Sequence, residues 1–578
     1  MPDRIRRRPD AEPGPALVDV HPVLARVFAN RGIDNATQIE YKLDRLLSPH
    51  LLRGLTEAGQ LLADCVQQRQ RILVVGDFDA DGATSTALAI TALRAMGAVE
   101  PRFLVPNRFE HGYGLTPEIV ELAAADKPAL IVTVDNGISS IEGVALAAEL
   151  GIKTLVTDHH LPGARLPLAD VIVNPNQDGC DFPSKNLAGV GVIFYVMSAL
   201  RTELNRRGWF EQTEIPSPNL AEVLDLVALG TVADVVPLDY NNRILVEQGL
   251  RRIRAGKTRP GISALLEIAA RSGPRLVAAD LSFGVAPRLN AAGRLDDMSI
   301  GIACLLAEDD SSARRYAQQL DTLNRDRQQI ERGMQQEALQ ILEQYFATHG
   351  DEIPAAVCLY EPDWHQGVVG IVASRIKDRL HRPVIAFART DDGWVKGSAR
   401  SITGLHIRDA LERVSTLHPG LIDKFGGHAM AAGLSLAEEN LPAFQQSFIT
   451  VVGERLAGVE LEAVVDSDGE LECSELGLKL ARQLRYASPW GQYFPEPVFD
   501  GVFNIVHQRL VGERHLKLVV HPPGDSSKLL DAIAFNVDLE LWPSPELEQV
   551  RLAYKLDCNY FRGEERLQLL VEHLERLE

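Results

Sequence analysis

Ile72-Leu-Val-Val-Gly-Asp-Phe-Asp-Ala-Asp-Gly82 is the stretch that decides the fold. Four apolar residues and a glycine read as a strand, and three aspartates then follow at alternate positions. Two familiar arrangements share part of this spacing, and neither fits. A calcium EF-hand loop also begins Asp-x-Asp-x-Asp-Gly, but a helix precedes it and a bidentate glutamate occupies its twelfth position. Here a strand precedes, and the twelfth residue is Leu88. A phosphate-binding P-loop needs a following Gly-Lys-Ser/Thr, which is absent.

On either side, short apolar runs alternate with helical patterns from Arg71 to Pro175, the signature of a parallel sheet. The runs are Ile72 to Val75, Phe103 to Val105, Leu130 to Val134, Thr154 to Val156 and Val171 to Val173. Helices are expected at Thr84 to Met96, Pro117 to Ala125 and Ser139 to Leu150. Two further strands end in acids, in Val134-Asp-Asn-Gly137 and Thr157-Asp-His-His160. Ligands of open α/β sheets bind beyond the carboxyl ends of the strands, so these ends should converge on one crevice. One aspartate after a strand is ordinarily a helix cap or turn former. Several carboxylates crowded together repel unless a cation neutralises them. Asp77, Asp79, Asp81, Asp135 and His159 are therefore expected to form one metal site. Oxygen-rich ligation with imidazole suits Mn²⁺ or Mg²⁺ better than structural zinc, and the ligands suffice for two ions. Such a pair can activate water and stabilise both the entering and the leaving oxygen of a phosphoryl displacement. The expected chemistry is that of a divalent-metal-dependent phosphoesterase.

Leu220 to Ala347 reads mostly as helix, closing on a long connecting helix in which Leu320, Leu323, Ile330, Met334 and Ile341 recur at helical spacing. A second alternating unit follows: strand Ala355 to Leu359, helix Val368 to Leu380, strand Val384 to Phe387 and a helix near Ile407 to Val414. Short β-like runs from Val498 to Leu556, separated by Pro, Gly and Asp, predict a small β-barrel. The fold class is thus multidomain α/β: a parallel-sheet domain joined by a long helix to a smaller α/β domain, with a C-terminal β-barrel. The expected divisions are 1–45, 46–240, 241–350, 351–460 and 461–578.

A chain of 578 residues is too long for one hydrophobic core. Its 46% hydrophobic and 24% charged residues are those of a folded protein. A net charge of -20 weighs against a sequence-blind polyanion binder, although it leaves room for a basic groove. Six cysteines without a Cys-x-x-Cys pair argue against a disulfide framework or cysteine zinc site and fit a reducing cytoplasm. The basic start, Arg4 to Arg8, leads into no apolar segment, and no apolar run reaches the roughly 20 residues of a membrane span. A soluble, unexported protein without a membrane partner is expected.

Gly76-Asp-Phe-Asp-Ala-Asp-Gly82, Val134-Asp-Asn-Gly137 and Asp158-His-His160 together resemble the DHH phosphoesterase superfamily. Ala228-Leu-Gly-Thr-Val-Ala-Asp-Val-Val-Pro237, Ala286-Pro-Arg-Leu-Asn-Ala-Ala-Gly-Arg294 and Gly426-Gly-His-Ala-Met-Ala-Ala-Gly433 are similar to its RecJ family of single-strand-specific 5′ to 3′ exonucleases. The resemblance runs from about Val23 to the C-terminal barrel. It implies that Asp79, Asp81, Asp135, His159 and Asp234 are metal ligands, with Asp77 in or beside that shell. It also implies that His160 faces the scissile phosphate and that Asp158 orients the histidines. The second α/β unit resembles a DHHA1 domain, in which Gly426 to Gly433 forms a small-residue loop and Gly426, Gly427 and His428 approach substrate. Arg108, Arg288, Asn290, Ser398 and Arg400 fall at positions implied to bind the 5′-phosphate and the strand. The C-terminal barrel resembles an OB-fold, with Tyr486, Trp490, Tyr493, Phe494, Tyr560 and Phe561 available for stacking. The implied activity is release of mononucleotides from single-stranded DNA with a 5′ end, in DNA recombination and repair. The implied partners are single-strand-binding protein and a RecQ-type helicase. Two other readings stay open: an oligoribonuclease or cyclic-dinucleotide phosphodiesterase of the same superfamily, and a non-catalytic replication scaffold.

Overall fold

The computed structural model describes residues 4–9, 17, 19–107, 113–349, 353–390, 393–458, 461, 463–561 and 563–577. A short strand, β1 (Arg4–Arg7), comes first. Strands β2 (Ile72–Gly76), β3 (Arg102–Leu104), β4 (Leu130–Val134), β5 (Lys153–Thr157) and β6 (Val171–Val173) form an all-parallel sheet in the order β3-β2-β4-β5-β6. Every residue of β2 and β4 is buried, as expected for strands covered on both faces. Ile72, Val74, Leu130 and Val132 pack into the main core. Leu73, Val75 and Ile131 pack against Ile119, Val120, Val144 and Ala147 on the opposite side.

Helix α1 (Ala80–Ala95) begins four residues earlier than the periodicity predicts. The carboxylate of Asp79 caps it, accepting from the amides of Asp81 (2.9 Å) and Gly82 (3.0 Å). The third aspartate of the opening stretch therefore lies inside the first helical turn. Helices α2 (Pro117–Ala124) and α3 (Ile141–Glu149) cover one face of the sheet, while α4 (Gly189–Arg206) and α5 (Leu224–Ala233) pack with α1 on the other. Helix α6 (Ala286–Leu295) leads to the connecting helix α7 (Asp310–His349). Ala313, Ala317 and Leu320 of α7 belong to the main core, whereas Met334, Ala338 and Leu342 pack on the second α/β domain, so one helix joins two cores.

In that second domain, β7 (Val357–Tyr360), β8 (Val384–Arg389), β9 (Trp394–Arg400), β10 (Lys424–Gly427) and β11 (Ala431–Ala437) form a mixed sheet in the order β10-β11-β9-β8-β7, flanked by α8 (Val369–Leu380) and α9 (Ile407–Leu417). The segment expected as a small-residue loop is thus an antiparallel hairpin. Gly426 pairs with Gly433 and Gly427 with Ala432, which leaves only residues 428–430 as its turn. At Gly427 the backbone has φ +138, and an added Cβ would lie 2.4 Å from the Ala431 carbonyl, so the hairpin needs glycine there.

Strand β12 (Val464–Ser467) pairs in parallel with β1, so the basic N-terminus is a docked strand. Arg7 bonds to Asp500 and Arg31 to Asp468. The chain ends in a closed barrel, β13-β14-β15-β17-β16, made of β13 (Phe499–Val511), β14 (His515–His521), β15 (Leu530–Ala534), β16 (Gln549–Phe561) and β17 (Glu564–Arg576). Among the described residues no helix is long and apolar enough to cross a membrane.

Candidate metal centre and cleft

Register brings the acids together. Gly76 pairs with Val134, and Val134 with Thr157, so the next residues, Asp77, Asp135 and Asp158, leave three adjacent strands at the same height. One ligand atom each from Asp77, Asp79 and Asp135 lies within 4.8 Å of the others, and the same holds for Asp81, His159 and Asp234. Asp234 reaches the cluster from the end of α5. The turn it occupies is strained, since the β-branched Val235 that follows has φ 60.

Each ligand is held by its own local structure. The two carboxylate oxygens of Asp81 accept from the amides of Gly189 (2.7 Å) and Val190 (3.0 Å) at the start of α4. Burial and the charges of Asp234 and Asp79 nevertheless hold this carboxyl well above the usual range. Burial and the charges of Asp81 and Asp79 do the same to Asp135. Two glycines make the room. A Cβ on Gly189 would lie 2.7 Å from the Asp135 carboxylate, and one on Gly230 would lie 2.8 Å from that of Asp81.

The donor set fits divalent metal. Asp135 Oδ1, His159 Nε2 and Asp234 Oδ2 are buried and carry no hydrogen bond. His159 Nε2 nevertheless lies only 3.0 Å from the Asp135 oxygen and 3.4 Å from the Asp234 oxygen. Buried acceptors without donors are costly, and a cation among them removes that cost. Burial lowers the pKa of His159, which favours the neutral, coordinating ring.

His160 is built differently. Asp158 Oδ1 accepts from its Nδ1 (2.7 Å) and from the amides of His159 (2.7 Å) and His160 (3.1 Å), while Oδ2 accepts from the Ile138 amide (2.9 Å). Burial opposes ionisation of Asp158, but the hydrogen bond and charge of His160 outweigh it and bring the pKa to about 2. Burial lowers the pKa of His160, yet its bond to Asp158 raises it to about 9, which makes the ring a cation. It stacks on His428 of the β10–β11 hairpin, with centroids 5.8 Å apart, so the two domains meet at this ring.

The cluster opens into a cleft of about 1120 Å³ lined by Asp77, Asp79, His160, Asn290, His428 and both Gly426 and Gly427. Asn290 also accepts from the Ala80 amide (2.8 Å), tying α6 to the start of α1. Ser398 and Arg400 line an adjoining pocket of about 260 Å³ with Arg294, Lys396 and Gly370. Arg400 donates to Ser398 Oγ (2.9 Å) and to the Ala399 carbonyl (2.8 Å). Arg288 is tied to Asp321 (2.9 Å) and the Gly284 carbonyl (2.5 Å) and lines neither space. Arg108 lies outside the described residues. Trp490 and Phe494 are stacked together in the core, whereas Tyr493 is 79% exposed.

Sequence reasoning missed several residues of the two spaces, Tyr113, Arg165, Arg294, Lys396 and Arg408 among them. Tyr113 donates to the Asp135 carbonyl (3.2 Å) and meets the His160 ring edge-on. It stands five residues after Arg108, the residue of this segment at which the resemblance implies substrate binding. Arg294 closes the Ala286-to-Arg294 stretch and could have been read from it. Lys396 and Arg165 stand in no recognisable pattern.

A DHH family, N-terminal domain model matches residues 71–231, a DHHA1 domain model residues 352–454 and a RecJ OB domain model residues 467–573. Fold and site together define a metal-dependent phosphoesterase of the DHH class. The chain is 59% identical over 572 residues to the single-stranded-DNA-specific exonuclease RecJ of Dickeya dadantii, covering 99% of each. It also matches the crystal structure of RecJ from Thermus thermophilus in complex with Mn²⁺, at 31% identity and a TM-score of 0.81, over 100% of this chain and 79% of that one. For the corresponding Mg²⁺ complex the identity is 29% and the TM-score 0.74, over 100% and 78%. The chain belongs to the RecJ family of single-stranded-DNA-specific exonucleases, and it is a metal-dependent nuclease.

Proposed function

We propose that this protein degrades single-stranded DNA from the 5′ end, releasing 5′-mononucleotides, with two Mn²⁺ or Mg²⁺ ions held by Asp77, Asp79, Asp81, Asp135, His159 and Asp234. The observation that carries this reading is the trio of buried, unbonded ligand atoms on Asp135, His159 and Asp234, clustered with the Asp77 and Asp79 that line the cleft. When bound, divalent ions lower the pKa of an attacking water and neutralise charge on the leaving oxygen.

The chain's own groups supply the rest. His160, held cationic by Asp158, faces the cleft and donates to a non-bridging oxygen of the scissile phosphate. Asn290, Gly426, Gly427 and His428 bound the space around that phosphate. Ser398 and Arg400, with Lys396 and Arg294, receive the terminal 5′-phosphate in the small adjoining pocket. Its cluster of basic and hydroxyl side chains suits a terminal phosphate, which supports 5′ to 3′ polarity. Arg288 and Arg108 are proposed as further substrate contacts on the family resemblance alone. The barrel provides a further single-strand surface. A cytoplasmic role in recombination and repair, with single-strand-binding protein and a RecQ-type helicase as partners, rests on the family resemblance.

Single- and double-stranded DNA labelled at either end, incubated with Mn²⁺, Mg²⁺ or EDTA, tests the proposal. Metal-dependent loss of the 5′ label as mononucleotide from single strands is expected. Attack from the 3′ end, equal cleavage of duplex, or activity in EDTA would refute it.

A further inference from the structure

The cleft carries basic residues beyond those of the small pocket, which Lys396, Ser398, Arg400 and Arg294 surround. Pro162, Gly163 and Arg165, in the segment after His160, line the same cleft as Arg408 from the first turn of α9. One arginine thus comes from each domain.

Arg165 and Arg408 are both exposed, and neither has a hydrogen bond or ion pair to another described residue. Elsewhere in this acidic chain arginines are commonly tied to carboxylates, as in Arg259 with Asp225, Arg288 with Asp321 and Arg327 with Glu331. A lone exposed arginine needs no explanation. Two of them, from separate domains on one concave surface, present guanidinium groups where a chain of phosphates would pass. A strand whose 5′-phosphate sits in the small pocket and whose scissile phosphate sits at the acid cluster must continue away from that pocket, through the cleft that these side chains line. Guanidinium groups bind phosphate oxygens bidentately and keep their charge at any working pH.

We propose that Arg165 and Arg408 form a two-sided clamp on the sugar-phosphate backbone 3′ of the scissile bond, keeping a single strand in place between successive cuts. The clamp deepens the exonuclease reading and rests on it. Its ligand is the phosphodiester backbone, irrespective of base.

The test compares a long 5′-phosphorylated single strand with a 5′-phosphorylated dinucleotide, which is too short to reach the clamp. In Arg165→Ala and Arg408→Ala, the ratio of kcat/KM for the long strand to that for the dinucleotide should fall roughly tenfold each. The salt dependence of long-strand binding should lose about 0.7 in log-log slope per arginine. Arg165→Lys and Arg408→Lys keep the charge, so they should retain the salt slope while losing part of the ratio. An unchanged ratio, with both substrates affected alike, overturns the clamp, as does an unchanged salt slope in the alanine variants. Wild-type protein that cleaves neither substrate overturns the nuclease reading as well, which separates the two failures.

Discussion

Replacing Asp135 with asparagine should stabilise the metal-free protein and remove the extra stability that Mn²⁺ supplies. Asp135 shares a 4.8 Å sphere of ligand atoms with Asp77 and Asp79. Two unit charges 4.8 Å apart repel by about 3.5 kcal/mol at an effective dielectric of about 20. Part of that repulsion is already relieved by proton uptake, because burial and the charges of Asp81 and Asp79 raise the Asp135 carboxyl pKa. The net gain on neutralising Asp135 is then on the order of 2 kcal/mol. The substitution is isosteric, and asparagine tolerates the left-handed backbone found there, with φ 62. At about 2–4 °C per kcal/mol, the unfolding transition of the parallel-sheet domain should rise by roughly 4–8 °C in EDTA. Saturating Mn²⁺ should stabilise the wild type, by about 2.7 kcal/mol at a hundredfold excess over Kd, and leave the variant nearly unmoved. Thermal melts in EDTA and in Mn²⁺ decide the matter. A variant that melts below the wild type in EDTA, or that gains as much from Mn²⁺, would show that these carboxylates do not form the metal site.

The same cluster sets a pH dependence. Asp81 and Asp135 have raised pKa values in the folded metal-free protein, so the folded state binds protons that the unfolded state releases. Stability in EDTA should therefore fall as pH rises from the unfolded carboxylate value of about 4 through the raised folded values, and Mn²⁺ should flatten the slope; a flat profile in EDTA contradicts this. Gly230→Ala places a Cβ 2.2 Å from Thr84 Oγ1 and 2.8 Å from Asp81 Oδ1, so a loss of about 1–3 kcal/mol is expected with at least a roughly tenfold drop in kcat, and full activity would show that the packing around Asp81 is slack. The Asp500 side chain is fully buried and accepts from Ser467 (2.6 Å), Arg7 (2.9 Å) and Arg551 (2.9 Å). Asp500→Asn should destabilise the barrel by on the order of 2–3 kcal/mol in urea and loosen β1, read as faster amide exchange at Arg4 to Arg7; unchanged exchange would mean that the strand docks without it.

Much of the site was legible in the chain because its physics is local. Fully apolar runs ending in acids specify buried parallel strands with carboxylates at their carboxyl ends, and parallel order then obliges those ends to share one edge of the sheet. Asp77, Asp79, Asp81, Asp135 and His159 could be grouped on that basis alone. Asp234 could not, since an acid at the end of a helix carries no sign of which cluster it will face; only the packing of α5 against α1 brings it to His159. The different roles of the adjacent histidines were likewise absent from the spacing and came only from the family resemblance. His159 and His160 differ by one position, but Asp158 bonds the ring of the second and leaves that of the first to the metal cluster.

Long-range pairing overrides local preference at the C-terminal strand. Glu564-Glu-Arg-Leu-Gln-Leu-Leu-Val-Glu-His-Leu-Glu-Arg576 is rich in helix formers, yet it is β17, because β15 on one side and β16 on the other need a strand to close the barrel. The glycine-rich hairpin read as a loop for a similar reason: its pairing depends on β9, distant in sequence. The chain by itself thus determined the parallel sheet and the gathering of Asp77, Asp79, Asp81, Asp135 and His159 at its carboxyl edge, since both follow from spacing between near neighbours. Spacing alone could not place Asp234, which the resemblance implied and the packing of α5 brings to the cluster, and only tertiary structure decided that His428 meets His160 across the cleft and that Arg165 and Arg408 line the same cleft. Those juxtapositions arise from contacts between segments tens to hundreds of residues apart, about which local periodicity carries no information.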